Sequence, residues 1–415
     1  MDSDQRRAAP GSLGKLRSDN RARIVTALRS EGSLSRPELA RLTGLSRSTV
    51  STVVAELIDD GLVREGTASA GRGRPAAQLI LDPRAGFALA IDLAPGRIAV
   101  ALAGVDHEII SRRALAAPTD TSTLPELLDV LAELVAAVLD EADAPRDRIL
   151  GCVMSVPARV DPASDSLGPE SALRVIAGAP VARLVRDRLD MDVRLENDAN
   201  LSALAEVVSG AARGHRDVVF VELSEGIGGG VVLDGRLQRG SRGSSGEVGH
   251  ISVDAEDAVC RCGNEGCLEA VASVGAVLAR VAEHADAPTT IEDLITRALA
   301  GDPICARTLR DAGSRVGQTL GAVCNVVAPT MIVIGGRLAP GWPLMETAFR
   351  AALDRAAIHE LANDVDVAPS ALGADGRLIG GITLVLREPP NGVPAETRVL
   401  SPGQGLATLG SMTIH

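Results

Sequence analysis

No stretch of the 415 residues approaches the roughly 18 uninterrupted apolar residues that a membrane span requires. The N-terminus, MDSDQRRAAPGS, has none of the apolar core of a secretory signal. A cytoplasmic location, with no membrane partner, is the expectation. A disulfide framework is missing as well. Of six cysteines, Cys260, Cys262 and Cys267 crowd into one short segment, while Cys152, Cys305 and Cys324 stand alone in apolar surroundings. Crowded thiols in a reducing compartment point to metal. No fixed-period repeat is present, which excludes a repeat array. A net charge of −12 excludes a uniformly basic surface coated with nucleic acid. What is present, 46% hydrophobic residues, fills the cores of two or three compact domains.

The charge is unevenly placed. Residues 1–80 carry 13 Lys+Arg against 9 Asp+Glu, and the remainder carries 29 against 45, so a small basic module precedes a large acidic body. Residues 1–17 are polar and unpatterned, as in a disordered arm. From Asn20 onward Ile24, Val25 and Leu28 recur at helical spacing. SRPE then supplies Ser35 as N-cap, Pro37 in the first turn and Glu38 to close a capping box, with Leu39 and Leu42 on the buried face. After the turn TGL, a third helix opens at Ser46 and runs through Val50, Val53, Val54 and Leu57 to Gly61. Two strand-like segments, GLVREG and AAQLILD, flank the loop TASAGRGRPA. This is the sequence of a winged helix-turn-helix over residues 18–81. With the valines inward, Ser46, Arg47, Ser48, Thr49, Ser51 and Thr52 are left where side chains meet base edges, and Arg72 and Arg74 of GRGRP suit a minor groove.

LDPRAG, with residues 82–86, reads as a hinge into an α/β body over 87–388. Phe87–Leu93 and Ile98–Ala103 read as paired strands, ILGCVMSV as a buried strand, Val181–Leu189 as a helix, and VRLE followed by DANLSALAEVV as strand into helix. A second strand set begins at DVVFVEL and GGVVLDGRLQRG. Two lobes with a boundary near residue 200, each a mixed sheet backed by helices, enclose a cleft, and a helix over 376–387 closes the body. The Pro/Gly-rich segment 389–415 reads as a disordered tail.

Chemistry concentrates in GHISVDAEDAVCRCGNEGCLE. His250, Cys260, Cys262 and Cys267 offer one imidazole and three thiolates, a set that suits tetrahedral Zn(II) with no position left for water, hence a structural ion. Gly263 and Gly266 permit the tight turn between the thiolates. Carboxylates flank this segment, Glu247 in GEVGH and Glu269 in CLE, and Asn197 and Asp198 stand upstream at a strand-to-helix junction. Acceptors and an amide converging on one cleft suit a polyhydroxylated ligand. Helix capping by Asp198 is the plainer alternative. LSEGIGGG resembles a phosphate-gripping glycine loop with Glu225 set against its own load.

From Asn20 to Arg387 the sequence resembles the ROK family, in which sugar kinases and transcriptional repressors share one body. SRPELARLTGLSRSTVS, LENDAN, GIGGGVVLDGRLQRG, GEVGH, CRCGNEGCLE and IVIGGRL carry the resemblance. It implies an actin-like, two-lobed fold of ribonuclease-H type, a sugar pocket lined by Asn197, Asp198, Glu247, His250 and Glu269, and Asp198 at the place of the kinases' catalytic base. RVIAGAPVARL lacks the aromatic that family members often place there. The phosphate turns also depart. Where family kinases carry Asp-x-Gly-Gly-Thr, this chain has Asp92, Leu93, Ala94, Pro95 and Gly96, and Pro95 has no N–H to offer. Where they carry Gly-Thr-Gly it has Ser224, Glu225 and Gly226. At an effective dielectric near 20, one carboxylate about 4 Å from one phosphate charge costs on the order of 4 kcal/mol. The expectation is therefore a sugar-responsive, non-enzymatic repressor that binds a palindromic operator as a homodimer or dimer of dimers, senses a sugar or sugar phosphate, carries structural zinc and takes no ATP. A sugar kinase with a fused DNA-binding module, and a regulator controlled by a protein partner with no sugar bound, are the alternatives.

Overall fold

The computed structural model describes residues 12–66, 77–116, 123–168, 171, 173–253, 258–284 and 286–388. Arg72 and Arg74, the tail 389–415 and residues 1–11 of the expected arm lie outside the described residues. The rest of that arm is helical: α1 runs Ser12–Glu31. Ion pairs account for the extension, since Arg17 reaches Glu56 at 2.8 Å and Arg21 reaches Asp60 at 2.5 Å across the third helix of the module. Farther along, Ile24, Val25 and Leu28 are buried.

After α1 come β1 (Leu34–Ser35), α2 (Arg36–Thr43), α3 (Arg47–Asp59), β2 (Val63–Gly66) and β3 (Gln78–Leu81). The box at the start of α2 is made: Glu38 Oε2 accepts from the Ser35 amide at 2.8 Å and its hydroxyl at 2.6 Å. Leu39 is fully buried, but Leu42 is 44% exposed; it sits in the last turn of an eight-residue helix, past the packed face. Ser46 caps α3 by accepting from the Thr49 amide at 3.1 Å, and Gly61 takes φ 72° where the chain turns back. β2 and β3 form the antiparallel wing, and β1 adds a third strand to β3 that the sequence pattern did not reveal.

A turn at Pro83–Ala85, capped by Asp82, leads into the body. It does not isolate the winged helix. Ile24, Leu57 and Leu79 belong to one buried apolar cluster with Ala88, Ala101, Ile382 and Leu386, and Arg29 lies 3.4 Å from His107 of the body.

The first lobe is built from β4 (Phe87–Ala94), β5 (Arg97–Gly104), β6 (Ile109–Ala116), α4 (Leu124–Glu141), β7 (Ile149–Val156), the short pair β8 (Val160–Asp161) and β9 (Ser166–Leu167), α5 (Val181–Leu189) and β10 (Val193–Asn197). The chain crosses over through α6 (Asp198–Ser209). The second lobe holds β11 (Val218–Leu223), β12 (Ile227–Leu233), β13 (Arg236–Gln238), α7 (Leu268–Ala272), α8 (Val274–Val281), α9 (Ile291–Leu299), α10 (Pro303–Val327), β14 (Met331–Gly335), α11 (Trp342–Ala356), α12 (His359–Asp364) and β15 (Asp366–Pro369). Helix α13 (Gly376–Arg387) returns to the first lobe and packs on α6 and β4.

The two sheets repeat one topology. In the order β6-β5-β4-β7-β10 and again β13-β12-β11-β14-β15, the earliest strand is central, antiparallel to the second and parallel to the fourth. The sequence shows no repeat because different helices fill the crossovers: α4 and α5 in one lobe, α7 to α12 in the other. No helix among the described residues is long and apolar enough to cross a membrane.

Gly228, Gly229 and Gly230 are not a loop; they lie within β12. A Cβ on Gly230 would stand 2.5 Å from the Ala199 carbonyl and 2.6 Å from Ala203 Cβ, and one on Gly229 would stand 2.6 Å from the Gly246 carbonyl. Their bareness lets α6, with Asp198 at its start, and the Gly246 segment press against β12. Gly230→Ala should therefore cost about 1–3 kcal/mol of stability through overpacking, read as a lowered midpoint in denaturant unfolding.

Candidate functional site

On the winged helix, Val50, Val53, Val54 and Leu57 anchor α3 from beneath. Ser46, Arg47, Ser48, Ser51 and Thr52 are exposed and Thr49 is half-buried. One face of the N-terminal half of α3 is therefore presented outward on a rigid cap. Ser46 Oγ also lies 2.9 Å from Ser48 Oγ and 2.8 Å from Thr49 Oγ1, which fixes that hydroxyl cluster.

The four donors His250, Cys260, Cys262 and Cys267 form one cluster, their ligand atoms all within 4.8 Å of one another. A tetrahedral ion with about 2.3 Å metal–sulfur and about 2.0 Å metal–nitrogen bonds implies S···S edges of about 3.8 Å and S···N edges of about 3.5 Å. Cys262 Sγ and Cys267 Sγ are 3.7 Å apart, and Cys260 Sγ is 3.6 Å from His250 Nδ1. The residues fit a metal ion. Gly263 and Gly266 take φ of 88° and 73°, the turns that bring the thiols together. With Nδ1 facing the thiols, His250 Nε2 lies 3.8 Å from Glu247 Oε2.

A cleft of about 1040 Å³ opens between the lobes. Asn197, Asp198, Glu247 and His250 all line it. The sequence set them as much as 53 positions apart; β10, the start of α6 and the segment packed on β12 bring them together. Asn197, rather than Asp198, caps α6, its Oδ1 accepting from the Asn200 amide at 3.1 Å while its Nδ2 donates to the Ala158 carbonyl at 3.2 Å. Glu269 is not brought to the cleft. It is buried, accepts from the Ile227 amide at 2.9 Å and pairs with Arg261 at 2.7 Å, so Arg261 faces the cleft in its place.

Of the two turns compared above with phosphate turns, the second carries an ion pair of the protein's own. Ala94, Pro95 and Gly96 make the β4–β5 turn at the cleft wall. Glu225 is not the uncompensated charge that the sequence suggested: Arg337 pairs with it and also with Glu292 at 2.8 Å. The Ser224 hydroxyl donates to Glu222 at 3.1 Å and accepts from the Arg337 amide at 3.2 Å, closing the turn.

Five arginines line the cleft, Arg97, Arg159, Arg261, Arg337 and Arg377, none of them assigned a role from the sequence. Arg377 donates to Glu222 at 2.8 Å and lies 3.8 Å from Asp92. Burial opposes its charge, yet Glu222, Asp198 and Asp92 together hold its pKa above the ordinary value. The one available signal was an arginine in the first turn of the closing helix, where the macrodipole disfavours a cation.

Asp198 is pushed up to about 6, chiefly by burial and then by the negative charges of Glu222 and Asp92, against the pull of Arg377 and the Ala199 amide. Between the ordinary aspartate value and about 6, the folded chain binds more protons here than the unfolded one. The protonated acid therefore favours the fold at low pH, and that contribution is lost as pH rises through about 6. Carboxyl carbon-13 NMR should give Asp198 a midpoint near this value, and Glu222→Gln should lower it. A midpoint in the ordinary aspartate range would contradict the charge arrangement.

Residues 88–388 match the ROK family, and residues 18–74 match the MarR family. The xylose repressor of Bacillus subtilis is 27% identical over 88% of this chain and 94% of its own length. The DNA-binding transcriptional repressor Mlc of Escherichia coli is 26% identical over 89% and 94%. Among solved structures, a ROK family transcriptional regulator described as a homologue of the E. coli Mlc protein superposes with a TM-score of 0.76 at 24% identity, covering 93% of this chain and 98% of the other. The ROK hexokinase of Thermus thermophilus matches with a TM-score of 0.61 at 29% identity, covering 71% and 96%. With the first of these matches spanning most of its length, the chain belongs to the ROK family.

Proposed function

We propose that this protein is a transcriptional repressor that binds operator DNA through α3 and responds to a carbohydrate held in the cleft. One observation carries the reading: a chain with an exposed recognition face on α3 also brings Asn197, Asp198, Glu247 and His250 to one cleft. Repressors named for xylose and the repressor Mlc align with it along nearly their whole lengths. One helix-turn-helix reads one half-site, so a palindromic operator and a homodimer or dimer of dimers follow. Arg47→Ala should weaken specific binding by about 1–3 kcal/mol if its guanidinium spans a base edge. Unchanged operator affinity in a salt-controlled titration removes Arg47 from the readout.

Zinc is the ion we assign to His250 Nδ1 and the thiolates of Cys260, Cys262 and Cys267. When bound it cross-links the segment that carries Glu247 and His250. The chain's own residues do the rest: Glu247 and Asp198 accept ligand hydroxyls, and His250 presents Nε2 toward the same space. Elemental analysis should find about one zinc per chain. Cys262→Ser should lose it and lower the melting temperature; a wild type without zinc overturns the assignment.

The ligand's effect on DNA requires different affinity for two arrangements of the lobes. Glu247→Ala should retain zinc and operator binding but lose the sugar's effect on operator affinity. Operator titrations with and without a panel of monosaccharides and their phosphates read this directly. A variant that still responds at the wild-type sugar concentration shows that Glu247 does not hold the effector. The alternative, a sugar kinase, draws on Asp198, a cleft carboxyl with an elevated pKa. Against it stand Pro95, without an N–H, and the Glu225–Arg337 pair across the second phosphate turn.

A further inference from the structure

Four of the five cleft arginines are already engaged with carboxylates. Arg97 stands 3.8 Å from Asp92 and 3.9 Å from Asp375, and Arg261 pairs with Glu269 at 2.7 Å. Arg337 pairs with Glu225 and Glu292, and Arg377 with Glu222 at 2.8 Å. Arg159 is the exception. Among the described residues no carboxylate pairs with it, and its Nη1 donates at 3.1 Å to a neutral acceptor, the Arg242 carbonyl.

Arg159 is nonetheless half-buried and held in place. The hairpin of β8 and β9 pairs Val160 with Leu167, so Arg159 stands opposite Gly168 at its base, and the Gly168 amide donates to the Arg159 carbonyl at 2.8 Å. A Cβ on Gly168 would lie 3.3 Å from Arg159 Nε and 3.5 Å from Nη2, so the guanidinium lies along bare backbone. The Arg242 carbonyl comes from the other lobe, in the turn Ser241–Gly243, and a Cβ on Gly243 would stand 1.9 Å from the Val160 carbonyl. The charge is thus positioned by contacts that do not neutralise it. Its neighbour in sequence, Ala158, accepts from Asn197 Nδ2 at 3.2 Å, which sets Arg159 beside the hydroxyl-gripping residues at the cleft wall.

A neutral sugar needs acceptors for its hydroxyls, which Asn197, Asp198 and Glu247 supply. A positioned guanidinium with no carboxylate of its own answers a different need: its planar fork matches the paired oxygens of a carboxylate or phosphate. Asp198 and Glu247 repel such a group, so the ligand would turn its ring hydroxyls to them and its anionic end to Arg159. We propose that the cleft's ligand is an acidic monosaccharide, a sugar bearing one carboxylate or phosphate, and that Arg159 selects its anionic group. This rests on the reading of the cleft as a carbohydrate site.

The test is calorimetry on the full-length chain in phosphate-free buffer. The probes are glucose, mannose and galactose, the uronate of each and the 6-phosphate of each. In at least one series an acidic member should bind about ten- to a hundredfold more tightly than its neutral parent. A uronate preference identifies the anionic group as a carboxylate and a 6-phosphate preference as a phosphate; either supports the proposal. Arg159→Gln, which can still donate to the Arg242 carbonyl, should close the gap in that series, and a gap that survives overturns the role of Arg159. The wild-type comparison reads the preference without any variant. Neutral hexoses bound as tightly as their acidic counterparts overturn the inference and leave the carbohydrate reading standing, whereas a chain that binds no member of any series overturns both.

Discussion

One guanidinium is shared between acidic residues of the two lobes. Arg377 starts on the helix that closes the first lobe, bonds Glu222 on the central strand of the second and faces Asp92 on the central strand of the first. Because the two sheets share one topology, those central strands end at the same cleft, and their acidic residues are brought within reach of each other. Like charges buried together are costly unless a cation lies among them. The pKa of Arg377, held above its ordinary value by Glu222, Asp198 and Asp92 against its burial, reflects that requirement.

The second constraint is close approach. Bare backbone at Gly229 and Gly230 admits α6 and the Gly246 segment against β12, and Asp198 and Glu247 both line the same cleft. His250, three residues after Glu247, belongs to the Cys/His cluster. A ligand gripping both carboxylates touches α6, on which α13 packs, and α13 ends in the apolar cluster shared with Ile24 and Leu57 of the winged helix. A contiguous packed route therefore joins the cleft to the winged-helix module.

Local features were legible in the sequence. Apolar runs marked β4 and β5, the 3.6-residue period bounded α5, the capping box placed α2, and the spacing of Cys260, Cys262 and Cys267 marked the Cys/His cluster. Features that depend on distant partners were not. Glu225 and Arg337 are 112 residues apart, and only the fold reveals that one neutralises the other. Glu269 looked like a cleft carboxylate because nothing nearby in sequence shows that Arg261 and the Ile227 amide would take both its oxygens. The run Gly228–Gly230 looked like a phosphate loop since bareness for packing and bareness for anion contact leave the same residues behind.

We propose that Pro95, which has no N–H, and the Glu225–Arg337 pair leave no grip for nucleotide phosphates in this cleft. Calorimetry with Mg2+ and ATP, alone and with each sugar of a panel, tests it most directly. No saturable heat from ATP into the millimolar range, with or without sugar, is the predicted result. Micromolar ATP affinity, or a sugar phosphate accumulating with turnover in the cell, would contradict it and place the protein among the kinases of its family.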